Sequence, residues 1–220
     1  MTAETEPEPE PRWPAAVALF GAAVLPLALP RSLTLAPTWF LVPTNVVLLT
    51  GAILAHKHNR IKLTDTFSYA NLGLLTLSML YSLATLVLGL MHHIESAPRL
   101  LQSAAILWVA NVIVGAAWYW RLDAGGPRAR DGRRAHMDGA FLFPQMAVDA
   151  PGRKGVSLAE AEGWRPGFID YLAISFYTCT AFSPTDVQAL TRWAKLMMML
   201  QAGMAFGTVI LLTARAVNIL

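Results

Sequence analysis

Apolar residues along this chain fall in long blocks, not in the period-two alternation of a half-buried strand. Runs rich in Leu, Val, Ala and Ile cover Trp13 to Pro30, Pro37 to Ala55, Phe67 to Met91, Leu100 to Trp120 and about Leu190 to Leu220. A spanning helix needs roughly 20 such residues, so the blocks predict an all-α membrane protein. A sixth run, Phe168 to Phe182, is shorter and is broken by Ser183-Pro184-Thr185-Asp186. Trp164-Arg165-Pro166-Gly167 precedes it, and Pro166 suits a helix entry because its missing N–H costs nothing there. A short helix, a non-helical turn and a long helix predict a re-entrant segment. Such backbone is tolerated at membrane depth only beside protein or a water-filled path. The expected fold is four transmembrane helices, a pore-helix-like re-entrant segment and a final long transmembrane helix.

The polar positions divide the chain further. Residues 1–12 alternate Glu and Pro and predict a disordered acidic tail. They lack a basic start, so the run from Trp13 is expected as a retained span within a transmembrane region, 13–120. His56 to Lys62 reads as a basic interfacial loop, with Asp65 or Thr66 capping the helix that follows. Ser68, Asn71, Thr76, Ser78, Ser82 and Thr85 suit close helix packing in the third run. Asn111 is expected to face another helix, since an amide is costly in lipid. Trp118-Tyr119-Trp120-Arg121 reads as an interfacial belt. From 121 to 167 the chain is expected to lie outside the membrane, where Gly125-Gly126-Pro127 ends any helix. Phe141-Leu142-Phe143-Pro144-Gln145-Met146 is too short to span and too apolar to float, so it should dock on the membrane or on the protein.

Composition agrees with the pattern: 55% of the 220 residues are hydrophobic and 14% are charged, which excludes an ordinary soluble domain. The net charge of +3 sits between the apolar blocks and fits lipid headgroups, not nucleic acid. Cys179 is the single cysteine, so no intrachain disulfide can form, and it reads as a buried small residue. The runs hold no His, Glu or Asp pair at helical spacing, no metal motif and no nucleotide-binding glycine pattern. The chain is therefore expected not to be an enzyme and to need no cofactor or metal.

Asp170 to Thr180, DYLAISFYTCT, resembles the pore helix of potassium-channel-type proteins, D-x-L-Y-F-S-x-x-T-x-T, in the voltage-gated-like ion channel superfamily. Ala181-Phe182-Ser183-Pro184-Thr185-Asp186 then falls where that family carries its filter, T-V-G-Y-G-D. Most of the chain also resembles a group of bacterial integral membrane proteins related to that superfamily. That likeness rests on Trp118 to Pro127 (WYWRLDAGGP), FLFPQM at 141–146 and the AFSPTD segment. The channel resemblance implies a pore module over 168–220, with Thr178, Thr180, Ala181, Phe182, Ser183, Pro184, Thr185 and Asp186 at a constriction. It also implies a homo-oligomer, a tetramer if channel-like, in the cell membrane, with monovalent cations as the permeant class. Gly203 and Gly207, four apart in the last helix, fit either a helix contact or a gating hinge. Ser183 and Thr185 stand where the family has glycines that aim successive carbonyls at the ion. Pro184 replaces the aromatic and fixes φ. These departures leave a less selective, hydroxyl-lined pore as the reading.

Two questions stay open in the sequence. A channel-type pore puts 121–167 outside, and then all Lys and Arg except Arg31, Arg99 and Arg215 lie outside too, against the positive-inside rule. Either the re-entrant module is inverted, or Phe168 to Phe182 crosses and the chain has six spans. The functional alternatives are a weakly selective cation channel, a non-conducting structural or regulatory protein with a channel-like fold, and a small transporter.

Overall fold

Proline and glycine decide where the helices stop. A computed structural model of the chain describes residues 9–92, 97–133, 136, 138–146, 164–180 and 187–217. Helix α1 (Trp13–Val24) has Pro14 in its first turn and passes at Leu25 into a 3-10 turn that ends at Ala28. Pro26 offers no N–H to continue the α ladder. Together the two pieces measure roughly 26 Å, below the ~30 Å of a hydrocarbon core. The expected first span is thus shorter than the run Trp13 to Pro30 suggested.

Helix α2 (Thr38–Lys57) starts where Pro37 leaves the chain extended, and it contains Pro43. Thr44 and Asn45 turn back on the helix around that proline, donating to the Phe40 and Leu41 carbonyls at 2.7 and 2.8 Å. At the other end Asn59 takes a left-handed φ of 54°. The Arg60 N–H then reaches Ala55 O and the Asn59 N–H reaches His56 O. That pair of bonds is a Schellman motif, which closes the last turn of a helix.

Helix α3 (Ile61–His92) therefore begins six residues before Phe67. Asp65 lies inside it and pairs with Arg121 instead of capping. The hydroxyls of Thr76, Ser82 and Thr85 donate to their own helix, at Leu72, Ser78 and Tyr81, which satisfies them in an apolar setting.

Helix α4 (Ala97–Leu122) is the hub. Its spanning window is 61% buried, against 22% for α2 and for α7 (Arg192–Val217). Its neighbours are α1, α3, α7 and the short helix α6 (Phe168–Thr180). This location corrects the expected aromatic belt. Tyr119 and Trp120 are buried in the protein, and the Trp118 indole donates to Thr76 at 2.9 Å. The physical reason is position: a helix covered on several sides turns its aromatics onto its neighbours. Asn111 does face another helix, donating to the Gln201 carbonyl of α7 at 3.1 Å.

Among the described residues, four helices, Thr38–Lys57, Ile61–Leu88, Pro98–Gly125 and Arg192–Ile210, are long and apolar enough to cross a membrane. The N-termini of α1, α3, α6 and α7 gather at one end with the C-termini of α2 and α4. Ion pairs and an aromatic cluster tie them there. At that end Ala124, Gly125 and Gly126 all have positive φ, and Pro127 starts helix α5 (Pro127–Asp131). FLFPQM docks on the protein: β1 (Phe141–Leu142) pairs antiparallel with β2 (Gln188–Ala189), and Phe141 and Phe143 are buried.

Gly126 carries the tightest backbone demand, with φ 89° and ψ 175° and a notional Cβ 2.8 Å from the Arg121 carbonyl oxygen. Gly126→Ala is expected to destabilise the protein by about 1–3 kcal/mol, the cost of a glycine-only conformation. Unfolding in mixed detergent and SDS micelles measures it. A loss below about 0.5 kcal/mol, typical of a neutral surface change, would contradict this account of the turn.

Candidate functional site

Helix α6 is where the predicted site begins. Gly167 sits at its N-cap, and the Asp170 carboxylate reaches back to accept the Gly167 N–H at 2.8 Å. That is the return half of a capping box. Thirteen residues give α6 a length of roughly 20 Å, too short to cross a bilayer. Its first turn, Phe168 and Tyr171, belongs to the aromatic cluster at the basic end. Val187, Ala189 and Trp193, which follow the predicted constriction in sequence, pack against the same cluster. The chain that leaves α6 at Thr180 is thus back beside the start of α6 by Val187, and α7 then runs away in the same direction as α6.

Beneath the cluster lies a carboxylate cage. Asp123 has no exposed surface. Its Oδ2 accepts the Tyr171 hydroxyl at 2.6 Å and lies 3.4 Å from His136 Nε2, while Oδ1 accepts the Ala140 N–H. Arg130, equally buried, donates to the Trp120 and Asp123 carbonyls at 2.9 and 3.0 Å and to Glu10 at 3.1 Å. Its guanidinium lies over the Tyr171 ring, 5.0 Å from the centroid. Glu10 also accepts the Trp120 indole N–H at 2.7 Å. Arg130 thus faces the Glu10 carboxylate, and the Asp123 carboxylate takes hydrogen bonds from Tyr171 and Ala140, as buried charges require. Phe141, Phe143 and Trp164 close over the cage. Gly139 is required beside it, since a Cβ there would fall 2.6 Å from His136 Nε2.

Deeper along α6 a second polar knot joins three helices. The Gln201 amide of α7 donates to the Asn111 carbonyl at 3.1 Å, to Ser175 Oγ at 2.5 Å and toward Cys179 Sγ at 3.2 Å. Its carbonyl accepts the Tyr119 hydroxyl. Ser175 passes its own proton to the Val112 carbonyl at 2.6 Å. Each of these groups is buried, and the knot fixes the rotation of α7 against α4 and α6. Gly115 of α4 leaves room for it: a Cβ there would lie 2.2 Å from Gln201 Nε2.

The predicted site residues are placed as follows. Thr178 is buried and donates to Ile174 O at 2.8 Å. Thr180 is half-buried at the end of α6, donating to Phe176 O at 3.0 Å and Tyr177 O at 3.2 Å. Ala181, Phe182, Ser183, Pro184, Thr185 and Asp186 lie outside the described residues. Gly203 and Gly207 face open space, with nothing within 4 Å of a notional Cβ, so neither forms a close helix contact among the described residues. His56 and His58 diverge, one toward Arg12 and the other onto the Leu54 carbonyl. The sequence reading missed Asp123, His136, Ser175 and Gln201. A lone amide in an apolar run, the signal that singled out Asn111, was also present at Gln201.

Gln201→Ala should destabilise the protein by about 2 kcal/mol, since it strands buried partners on two helices. Gly115→Ala should do so as well, by forcing the amide out of its pocket. The two defects share one cause, so the double variant is expected to fall short of their sum by about 1 kcal/mol or more. SDS-unfolding free energies of the four proteins give the coupling; simple additivity would remove the knot from the account.

Comparison with known proteins returns no match: no family model, no curated protein and no solved structure is similar to this chain.

Proposed function

We propose that the chain is a channel-like integral membrane protein with a re-entrant element built from α6, residues 181–186 and the return to α7. One observation carries this reading. A helix too short to cross begins in the aromatic cluster at the basic end, and the chain beyond it is back in that cluster before the next long helix starts. The resemblance of 170–186 to a pore helix and filter supports it. Thr180 ends α6 half-buried, and a pore of the channel type would form between copies of the chain. A homo-oligomer, tetrameric in the channel-type arrangement, would bring the 180–186 segments together for small monovalent cations. Gly203 and Gly207 then lie on α7 where a hinge or a contact with a second copy has room.

The charge distribution supports an inverted setting. Arg12, Lys57, Arg60, Lys62, Arg121 and Arg128 lie at the end where α6 begins, and Arg31 and Arg99 lie at the other. By the positive-inside rule the basic end faces the cytoplasm, and the re-entrant element would open from that side. A second reading is a non-conducting scaffold with a channel-like fold. Ser183 and Thr185 at the glycine positions favour it, as does the Gln201 knot that holds α6 fast.

Two measurements test these readings. Cys179 is buried, so a cysteine introduced at Gly155 is the residue a membrane-impermeant maleimide should label. Labelling only after the membrane is opened is expected in a cell with the basic end inside. Labelling of intact cells would reverse the orientation. Purified protein in liposomes is expected to pass monovalent cations, with flux falling at least about tenfold in Thr180→Val and Asp186→Asn, a loss of ~1.4 kcal/mol or more. Absence of flux in the parent protein, with the orientation upheld, would favour the scaffold.

A further inference from the structure

Between α1, α2 and α3, against the end of α4, runs a groove of about 340 Å³. Its floor is apolar, built by Ala16 and Leu19 of α1 and Leu49 and Ile53 of α2. Its mouth at the basic end is lined by Arg12, His56, Lys57 and Arg121, with the hydroxyls of Thr64 and Ser68 beside them. Trp13, Val17, Phe20 and Ile53 are exposed along the same flank, where a membrane-embedded chain meets lipid.

The charges at the mouth do not cancel. Arg12 is bound to Asp131 at 2.6 Å and also reaches His56 Nδ1 at 3.3 Å. Arg121 is held by Asp65 and lies 5.2 Å from the Tyr69 ring centroid. Lys57 has no ion pair among the described residues. Around His56 the charges are Arg12, Arg128 and Arg121, against Asp131. An excess of cations at the interface attracts anionic headgroups, by about 1 kcal/mol per basic residue. An apolar floor of this size would cost free energy if wetted, and a lone inorganic anion would leave it uncovered.

We infer that this groove binds an anionic glycerophospholipid of the surrounding leaflet. One acyl chain lies along Leu19, Leu49 and Ile53, and the phosphate sits between Lys57 and Arg12. The inference rests on the chain being embedded in a membrane and does not require that it conduct ions.

Native mass spectrometry of the detergent-purified full chain tests it, with phosphatidylglycerol, phosphatidylcholine or glycerol phosphate added. Phosphatidylglycerol should be retained at one molecule per chain in preference to phosphatidylcholine. Lys57→Gln, an exposed and unpaired position, should weaken that retention about fivefold without lowering the melting temperature. Ala16→Trp fills the floor and leaves the mouth intact, and should abolish retention of the lipid. Equal retention of the two lipids, or wild-type retention by Lys57→Gln, would overturn the inference. So would glycerol phosphate displacing phosphatidylglycerol at equal concentration, because the site would then be one for a free anion. Should Ala16→Trp fail to fold, the lipid comparison and Lys57→Gln still decide.

Discussion

A carboxylate with no exposed surface is the constraint on which the basic end of this protein depends. Removing such a group from water costs several kcal/mol unless fixed donors replace its hydration. Asp123 takes those donors from separate parts of the chain, the Tyr171 hydroxyl from α6 and the Ala140 N–H from the strap before β1, with His136 Nε2 3.4 Å away. Each donor carries an element with it. Tyr171 brings the start of α6 onto α4, and Ala140 brings Phe141 under Trp193 and beside Tyr171. The Ala140 carbonyl accepts the Leu190 N–H at 2.7 Å, which ties in the returning chain. Arg130 balances the charge and draws in Glu10, from a stretch the sequence alone read as a disordered tail. One acid thus organises the cap over the bundle.

The second constraint lies deeper. Lipid and apolar side chains are equivalent solvents for a leucine, so burial alone does not fix how α7 is rotated against α4. Polar groups do, because each must find its partner inside the protein. Gln201, Asn111, Ser175 and Tyr119 supply one such arrangement. Gly115 makes it possible by bearing no side chain. The exposed side of α7, by contrast, is Leu196, Met199, Leu200, Phe206 and Ile210, which sets no register of its own.

What could be read in the sequence follows from this division. The long helices were legible because the hydrophobic effect writes them as continuous runs. The stop at Gly125-Gly126-Pro127 was legible because backbone geometry is local. The docking of FLFPQM followed from its length and apolarity. The aromatic residues of Trp118 to Trp120 were misplaced because a lipid-facing belt and a helix core share one composition. Only the neighbours distinguish them. The start of α3 was missed because the basic loop hides a Schellman turn that ends at Arg60, leaving Ile61 free to begin a helix. His136 gave no signal, since its partner is distant along the chain and the approach depends on Gly139.

The direction of the elements and the distribution of charge together restrict the functional reading more than either does alone. A short helix whose two flanks meet at one end is compatible with a pore opening on either side of the membrane. The basic residues at that same end argue for the cytoplasmic side. The proposed inverted module would reconcile a pore-like element with the positive-inside rule, whereas six full spans would need a return across the bilayer between Thr180 and Val187. That interval is at most about 25 Å when fully extended, and Ala189 pairs with Phe141, whose ring packs on Tyr171 in the first turn of α6. The same basic end also carries the mouth of the apolar groove. In the proposed arrangement the basic mouth of the groove and the proposed constriction would open to one compartment, where anionic lipid headgroups would meet the field of the basic residues.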